Sequence, residues 1–557
     1  MGPATVDEVT EWADALLARR VVTRRGLLVG AGAAAAAVAT YPLARAVFGA
    51  GGGTSGRHGL VLSGRHLSWV ADGGVDSADP TSGVRVTAQL LGPDGRVPAG
   101  LTAVADLGDA PGAYGRPVPA RIVHLIGGGG SQFYVKAALV GLRPATTYHY
   151  RLRLSDGTVT GDAHFSTAPA RRSPGAGGPA PAPFTFTAFA DVGTNAPPPH
   201  GTLRNGYARD DPIAGAGGTD QHPAATQTGL MATQRPAFTL LAGDICYADA
   251  GGTGLPADDF DPYVWDVFLA QIDRQAAYVP WLFATGNHDM EPLHGGSHGY
   301  AGHAARLDLP GNGPSGCPSV YSFTYANVGV VSLDANDLSH EIRTNAGYSG
   351  GAQLRWLEGT LRAWRRDPAI DFVVAFFHHC AYSTTAQHAS DGGVRDAVDT
   401  LFTRWQVDLA VQGHNHVMER TDPIRAGRPT RPAPDGSTVE PATDGVTYLC
   451  IGSGGRARYS FPPGAGERYR GHAGAAGPVD SYVWVADGTR APETVAWSRV
   501  RYDGYAFLAV DVVPARPGRR TTMTLRTLAD ALPGRPGPYT EIDRVTLRRV
   551  AGAARIS

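Results

Sequence analysis

Cysteine is scarce: the 557 residues contain four, Cys246, Cys317, Cys380 and Cys450, and none belongs to a C-x-x-C pair. So sparse a set excludes a disulfide scaffold, a zinc ribbon and a thioredoxin-type redox site. Charge of either sign is not in excess, with 49 Lys+Arg against 50 Asp+Glu and a formal net charge of −1. That balance leaves no electrostatic footprint for nucleic acid as the main partner, or for an anionic membrane surface. Lysine is nearly absent, Lys136 standing alone against 48 arginines, a bias that carries no mechanism. A long apolar run is missing too. The best, Gly26 to about Ala39, is Ala/Gly-rich and covers about 14 residues, against the roughly 20 of a membrane-spanning helix.

What is abundant is glycine (74 residues) and proline (42), enough for a loop-rich globular protein but short of a disordered or collagen-like composition. At roughly 150 residues per domain, the length predicts three or four structural units. The first, 1–56, contains TRRGLLV (Thr23 to Val29), an Arg-Arg pair directly ahead of the apolar run. It resembles a twin-arginine export signal, with Ala44, Ala46 and Ala50 as candidate cleavage points. The resemblance implies export, to the cell envelope or beyond, and leaves a retained N-terminal anchor open.

Residues 57–168 alternate apolar and polar positions in short runs separated by Gly, Pro and Asp turns, the pattern of an all-β sandwich. Near its end LRPATTYHYRL places Tyr148 after a Leu-x-Pro, which resembles the tyrosine corner of fibronectin type III domains. A Pro/Gly/Ala linker, 169–183, has nothing to bury. In 184–475 short apolar runs end in polar clusters: FTFTAFADVG, FTLLAGDICYAD, PWLFATGNHD, VGVVSLDAND, FVVAFFHHCAY and DLAVQGHNH. Buried strands that stop at ionisable residues build a site along one sheet edge. Gly350 to Asp367 carries Leu354, Leu357, Leu361 and Trp364 at helical spacing. The fold class expected is therefore a layered α/β domain preceded by an all-β sandwich. The β-rich tail, 476–557, completes the α/β domain.

Five strand ends deliver Asp191, Asp244 with Tyr247, Asn287 with His288, His378, and His414 with His416. All are N or O donors suited to borderline and hard transition metals. Seven ligands (Asp191, Asp244, Tyr247, Asn287, His378, His414, His416) exceed one open catalytic site and suit two ions sharing a carboxylate, a pair about 3.5–4 Å apart that clamps the attacking and leaving oxygens of a displacement at phosphorus.

These ordered blocks resemble the metallophosphoesterase superfamily, and Tyr247, three residues after Asp244, narrows the likeness to the purple acid phosphatase branch. That branch also carries a fibronectin-like N-terminal domain and a GH-x-H-x-x-ER block, here GHNHVMER (Gly413 to Arg420). The resemblance implies an αββα sandwich and a dinuclear centre. It assigns Asp191, Asp244, Tyr247 and His416 to the first ion, and Asp244, Asn287, His378 and His414 to the second. A phenolate with two carboxylates favours a trivalent ion and two imidazoles with an amide a divalent one, so ferric iron paired with zinc, manganese or ferrous iron is expected. The reaction implied is hydrolysis of small phosphate monoesters by a metal-bound hydroxide. His288 and His388 match positions that touch substrate oxygens, with His388 the general acid and His379 a bystander. Gln387 and Cys380 depart from the commonest pattern, where a histidine and a proline stand, which bears on substrate preference. The alternatives are a phosphodiesterase or nucleotide-cleaving enzyme on the same core, and a non-catalytic cell-surface binding protein.

Overall fold

A computed structural model describes residues 45, 49 and 51–552, apart from 71–78, 94, 128–129, 173–179, 195–222, 259, 292–297, 464, 466–467, 470–477 and 531–538. The Arg24-Arg25 pair and the apolar run behind it lie outside the described residues.

Alternating apolar positions in the N-terminal third produce seven antiparallel strands, from Val61–Trp69 to Ala163–Ser166. The long strand Arg116–Gly127 turns the corner between two faces. Its first residues, Arg116 to Ala120, pair with Ala103–Gly108, and Arg121 onward pair with Gly130–Val140. Tyr148 is buried, and its phenol oxygen accepts the Arg143 backbone N–H at 3.0 Å, tying the turn to the following strand.

Most of the remaining described strands form two facing seven-stranded sheets, with small sheets of three and two strands beside them. In one, Phe184–Phe189, Thr239–Ala242 and Trp281–Ala284 run parallel, and C-terminal strands Ala506–Val513, Arg520–Ala529 and Thr540–Val550 extend it. In the other, Val328–Ser332, Phe372–Phe376, Leu409–Gln412 and Thr447–Ile451 run parallel. Strands buried on both faces read as unbroken apolar runs, and here alternate side chains serve alternate layers. Leu240, Val330 and Val374 fill the space between the sheets; Leu241 turns outward beneath helix Val264–Ala276, and Val331 and Val373 beneath helices Ala352–Arg366 and Gly392–Arg404. The arrangement is an αββα sandwich.

The sandwich domain is sewn to this core by buried polar contacts. Arg65 pairs with Asp273 at 3.1 Å, and the Tyr150 hydroxyl donates to the Ala277 carbonyl at 2.8 Å. The described part of the segment between them also touches the core. Arg172, in the Pro/Gly-rich stretch, is buried and donates to Asp371 at 3.1 Å and to the Ala515 carbonyl at 3.0 Å.

Candidate metal centre

Because the parallel strands of both sheets end at the same edge, their following loops converge there. Asp191, Asp244, Tyr247 and His414 all adopt left-handed backbone conformations, with φ of 57°, 51°, 62° and 68°. Non-glycine residues pay roughly 1–3 kcal/mol for this, a cost that persists where the surroundings enforce it and the site uses it.

The seven predicted ligands come together in two groups. In the first, the Tyr247 hydroxyl lies 3.1 Å from Asp191 Oδ1 and 3.0 Å from His416 Nε2, and His416 Nε2 is 3.4 Å from Asp191 Oδ1. In the second, Asn287 Oδ1 is 3.1 Å from His378 Nε2 and 3.0 Å from His414 Nδ1, and Asp244 Oδ1 is 3.2 Å from His378 Nε2. The groups touch where the His414 backbone N–H donates to Asp191 Oδ2 at 2.8 Å.

Ligands about 2.1 Å from one ion sit roughly 3.0–3.4 Å from one another, the spacing seen within each group. The outward ring nitrogens are also held, as ligating imidazoles require. His378 Nδ1 faces the Ala242 carbonyl at 3.0 Å, His416 Nδ1 the Ala457 carbonyl at 2.7 Å, and His414 Nε2 the Glu341 carboxylate at 3.0 Å. Electrostatics agree. Burial, with Asp191 and Asp244 adding to it, pushes the Tyr247 phenol well above its ordinary value, so a phenolate here calls for a cation that reverses the penalty. Burial opposes a proton on His378, but Asp244 and Asp191 overcome it and raise the ring to about 10. The donor set fits two cations.

His288 and His388 both border these groups. His288 Nδ1 meets the Asp249 carbonyl at 2.7 Å, leaving Nε2 3.9 Å from Asp244 Oδ2, and burial lowers the ring to about 4. His388 Nδ1 meets Glu341 Oε1 at 2.6 Å, and its Nε2 lies 3.2 Å from the Tyr459 hydroxyl. His379 is buried between His378 and His414, and neither ring nitrogen hydrogen-bonds to a described residue. Gln387 turns away to pair with Ser460.

Three residues at this edge escaped sequence reasoning. Glu341 follows the strand Val328–Ser332, whose polar tail LDAND was visible. Arg456 and Tyr459 follow Thr447–Ile451 in a GGRARYS loop that carries no metal-ligand pattern. The Arg456 guanidinium lies 3.8 Å from the Tyr247 ring centre, and Tyr459 stacks on His416 at 4.0 Å. The Glu-Arg end of GHNHVMER acts at a distance. Glu419 accepts the Thr384 backbone N–H at 2.7 Å, fixing the loop after His378, and Arg420 pairs with Asp543. All four cysteines are buried thiols with no disulfide; Cys380 and Cys450 both donate to the Gly413 carbonyl, at 3.0 and 3.5 Å.

Residues 159–418 match the calcineurin-like phosphoesterase family. An uncharacterised protein of Mycobacterium tuberculosis is 33% identical over 435 residues, spanning 75% of this chain and 76% of that protein. Purple acid phosphatase 21 of Arabidopsis thaliana is 30% identical over 219 residues, 39% of this chain and 43% of that protein. Among solved structures, purple acid phosphatase PPD1 from yellow lupin, Lupinus luteus, superposes with a TM-score of 0.61 at 17% identity, covering 88% of this chain and 75% of that one. PhoD does so with a TM-score of 0.52 at 13% identity, covering 87% and 90%. At such identities these two likenesses speak to the fold alone.

Proposed function

The chain belongs to the calcineurin-like phosphoesterase family and is a hydrolase of phosphoric ester bonds, and from that premise we propose that it is an exported phosphomonoesterase of purple acid phosphatase type. In this reading Asp191, Tyr247 and His416 would hold a ferric ion, and Asn287, His378 and His414 would hold zinc, manganese or ferrous iron. Asp244 would be the carboxylate shared between them. The observation that carries it is the meeting of seven donors from five separate strand ends, spaced for ligation, with the distal nitrogens of all three histidines already engaged. The accompanying N-terminal sandwich is read as fibronectin type III-like, with the Tyr148 bond in its support, and the leader as a twin-arginine signal.

When bound, the ions supply Lewis acidity that activates water and neutralises charge on the phosphoryl group. The protein supplies direction. The Tyr247 and His288 rings pack 4.4 Å apart and the His416 and Tyr459 rings 4.0 Å apart, bordering the donors with aromatic surface. As the phosphorus–oxygen bond to the alcohol breaks, the departing oxygen takes a proton from His388. Because His388 Nδ1 is engaged by Glu341, Nε2 is the nitrogen that gives it. His288, neutral and fixed through Nδ1, offers Nε2 to the nucleophile's side of the phosphate.

Asp244→Asn tests the reading. Loss of the joining carboxylate is expected to remove metal and turnover together, by more than the roughly 100-fold typical of losing a group behind a ligand. Elemental analysis and phosphate release from a chromogenic monoester measure both. Wild-type activity in that variant rejects the shared-carboxylate centre, and preference for a chromogenic diester over the monoester rejects the monoesterase.

A further inference from the structure

One carboxylate holds two imidazoles that the reaction uses differently. Glu341 Oε2 is 3.0 Å from His414 Nε2, and Glu341 Oε1 is 2.6 Å from His388 Nδ1. The two rings lie 4.4 Å apart. The Glu341 side chain is largely shielded from solvent, at the end of a loop that the flanking residues hold in place. The Glu341 backbone N–H donates to Ser339 Oγ at 3.1 Å and to Asp391 Oδ2 at 3.1 Å, and the Ser339 hydroxyl donates to the same carboxylate at 2.6 Å. Asp391 also caps helix Gly392–Arg404, accepting from the Gly393 and Val394 N–H groups. The Glu341 backbone is therefore anchored to a helix N-terminus, and from there its carboxylate reaches both rings.

We infer that Glu341 is a positioning residue that fixes the nitrogen each of the two histidines presents: Nδ1 of His414 toward the divalent ion and Nε2 of His388 toward the departing oxygen. The inference rests on the reading of His414 as ligand and His388 as proton donor. An imidazole that donates one N–H to a carboxylate keeps its other nitrogen as the free lone pair, or as the proton to be given away, and cannot rotate to exchange them. Glu341 does this for both rings at once. Tyr459 borders both rings, with its hydroxyl 3.2 Å from His388 Nε2 and its own ring stacked on His416.

The test uses the full-length, metal-loaded protein with Glu341→Ala, Glu341→Gln and His388→Ala. Retention of the divalent ion is followed by competition with a chelator of known affinity. Glu341→Ala is expected to weaken it about 10–100-fold, the usual effect of removing a ligand's carboxylate partner, with Glu341→Gln between it and wild type because one acceptor oxygen remains. Turnover is compared on phenyl phosphate, whose leaving group needs a proton, and 2,4-dinitrophenyl phosphate, whose leaving group does not. Glu341→Ala is expected to lose kcat on the phenyl ester selectively, as His388→Ala does, and the double variant to lose little more than either single one. If Glu341→Ala does not fold, Glu341→Gln carries both measurements. Wild-type metal retention in a Glu341 variant overturns the inference whatever His388 does. So does a third ion per chain that disappears with Glu341, which would make the carboxylate a ligand. A His388→Ala protein indifferent to the leaving group defeats the donor reading instead, and metal retention then decides Glu341 by itself.

Discussion

Tyr247 and His416 lie 169 positions apart in the chain, yet the Tyr247 hydroxyl rests 3.0 Å from His416 Nε2. Asp191 closes the triangle at 3.1 Å from the phenol, and Arg456 covers the ring. If the cation here is ferric iron, the protein as purified carries at least one iron and a broad visible absorption band from the phenolate, and Tyr247→Phe loses that band. Elemental analysis beside a visible spectrum checks this. A colourless wild type holding two zinc ions rules the ferric assignment out.

Gly286 precedes Asn287 against the carboxylate of Asp244. A Cβ built on it overlaps Asp244 Oδ1 and the Asp244 backbone nitrogen. Neither can retreat, because Asp244 sits in a left-handed turn and Oδ1 accepts the His288 N–H at 2.9 Å. Gly286→Ala is expected to displace Asp244 and Asn287 together, lowering turnover on a chromogenic monoester by at least about 100-fold, the scale of a 1 Å misplacement at a reacting centre. The circular dichroism spectrum stays that of the wild type. Activity within a few-fold of wild type shows that the carboxylate can move without cost.

The catalytic edge was legible because each of its strands is apolar throughout and ends abruptly in donors: FTFTAFAD, FTLLAGD and FVVAFFHH declare both the buried strand and the residue it delivers. Helix Ala352–Arg366 was legible through its period, and Leu357, Leu361 and Trp364 are buried as expected, whereas Leu354 is half-buried. Glu341 was not legible. Its importance comes from two histidines 47 and 73 positions away, and a lone glutamate in a polar loop has no local signature. Arg172 failed for the opposite reason. Its Pro/Gly-rich neighbourhood marks a solvated linker, but its partner Asp371 lies 199 positions further along the chain.

Metal uptake is expected to release protons. The carboxylates of Asp244 and Asp191 raise His378 to about 10, against burial, so at neutral pH the metal-free ring is charged and its ligating nitrogen carries a hydrogen. A cation must displace that proton. Below about pH 10 the apparent affinity of the divalent site therefore rises with pH, by about tenfold per unit for one linked proton, each pKa unit corresponding to 1.36 kcal/mol. Titrating the metal-free protein with Zn(II) in weakly buffered solution at pH 6 and pH 8 reads the protons directly. Uptake with no proton release at pH 6 contradicts a charged His378.

Asp266 gives the protein a pH dependence unrelated to metal. It lies in helix Val264–Ala276 at the junction with the N-terminal sandwich, where Gln132 donates to its Oδ1 at 2.5 Å. Burial pushes its carboxyl up to about 7, outweighing the Gln132 amide and the Arg306 guanidinium, which pull it down. In the unfolded chain the same group titrates near 3.9. The folded state thus holds the proton more tightly, so the stability this group contributes is present below about pH 4 and is lost as the pH rises through about 7. Asp266→Asn keeps an acceptor for Gln132 and cannot ionise. Its unfolding free energy, set against wild type in urea at several pH values, is expected to gain up to about 4 kcal/mol between pH 4 and pH 7. A difference that stays constant over that interval means that Asp266 is ionised in the folded protein and that water or a further donor supports it.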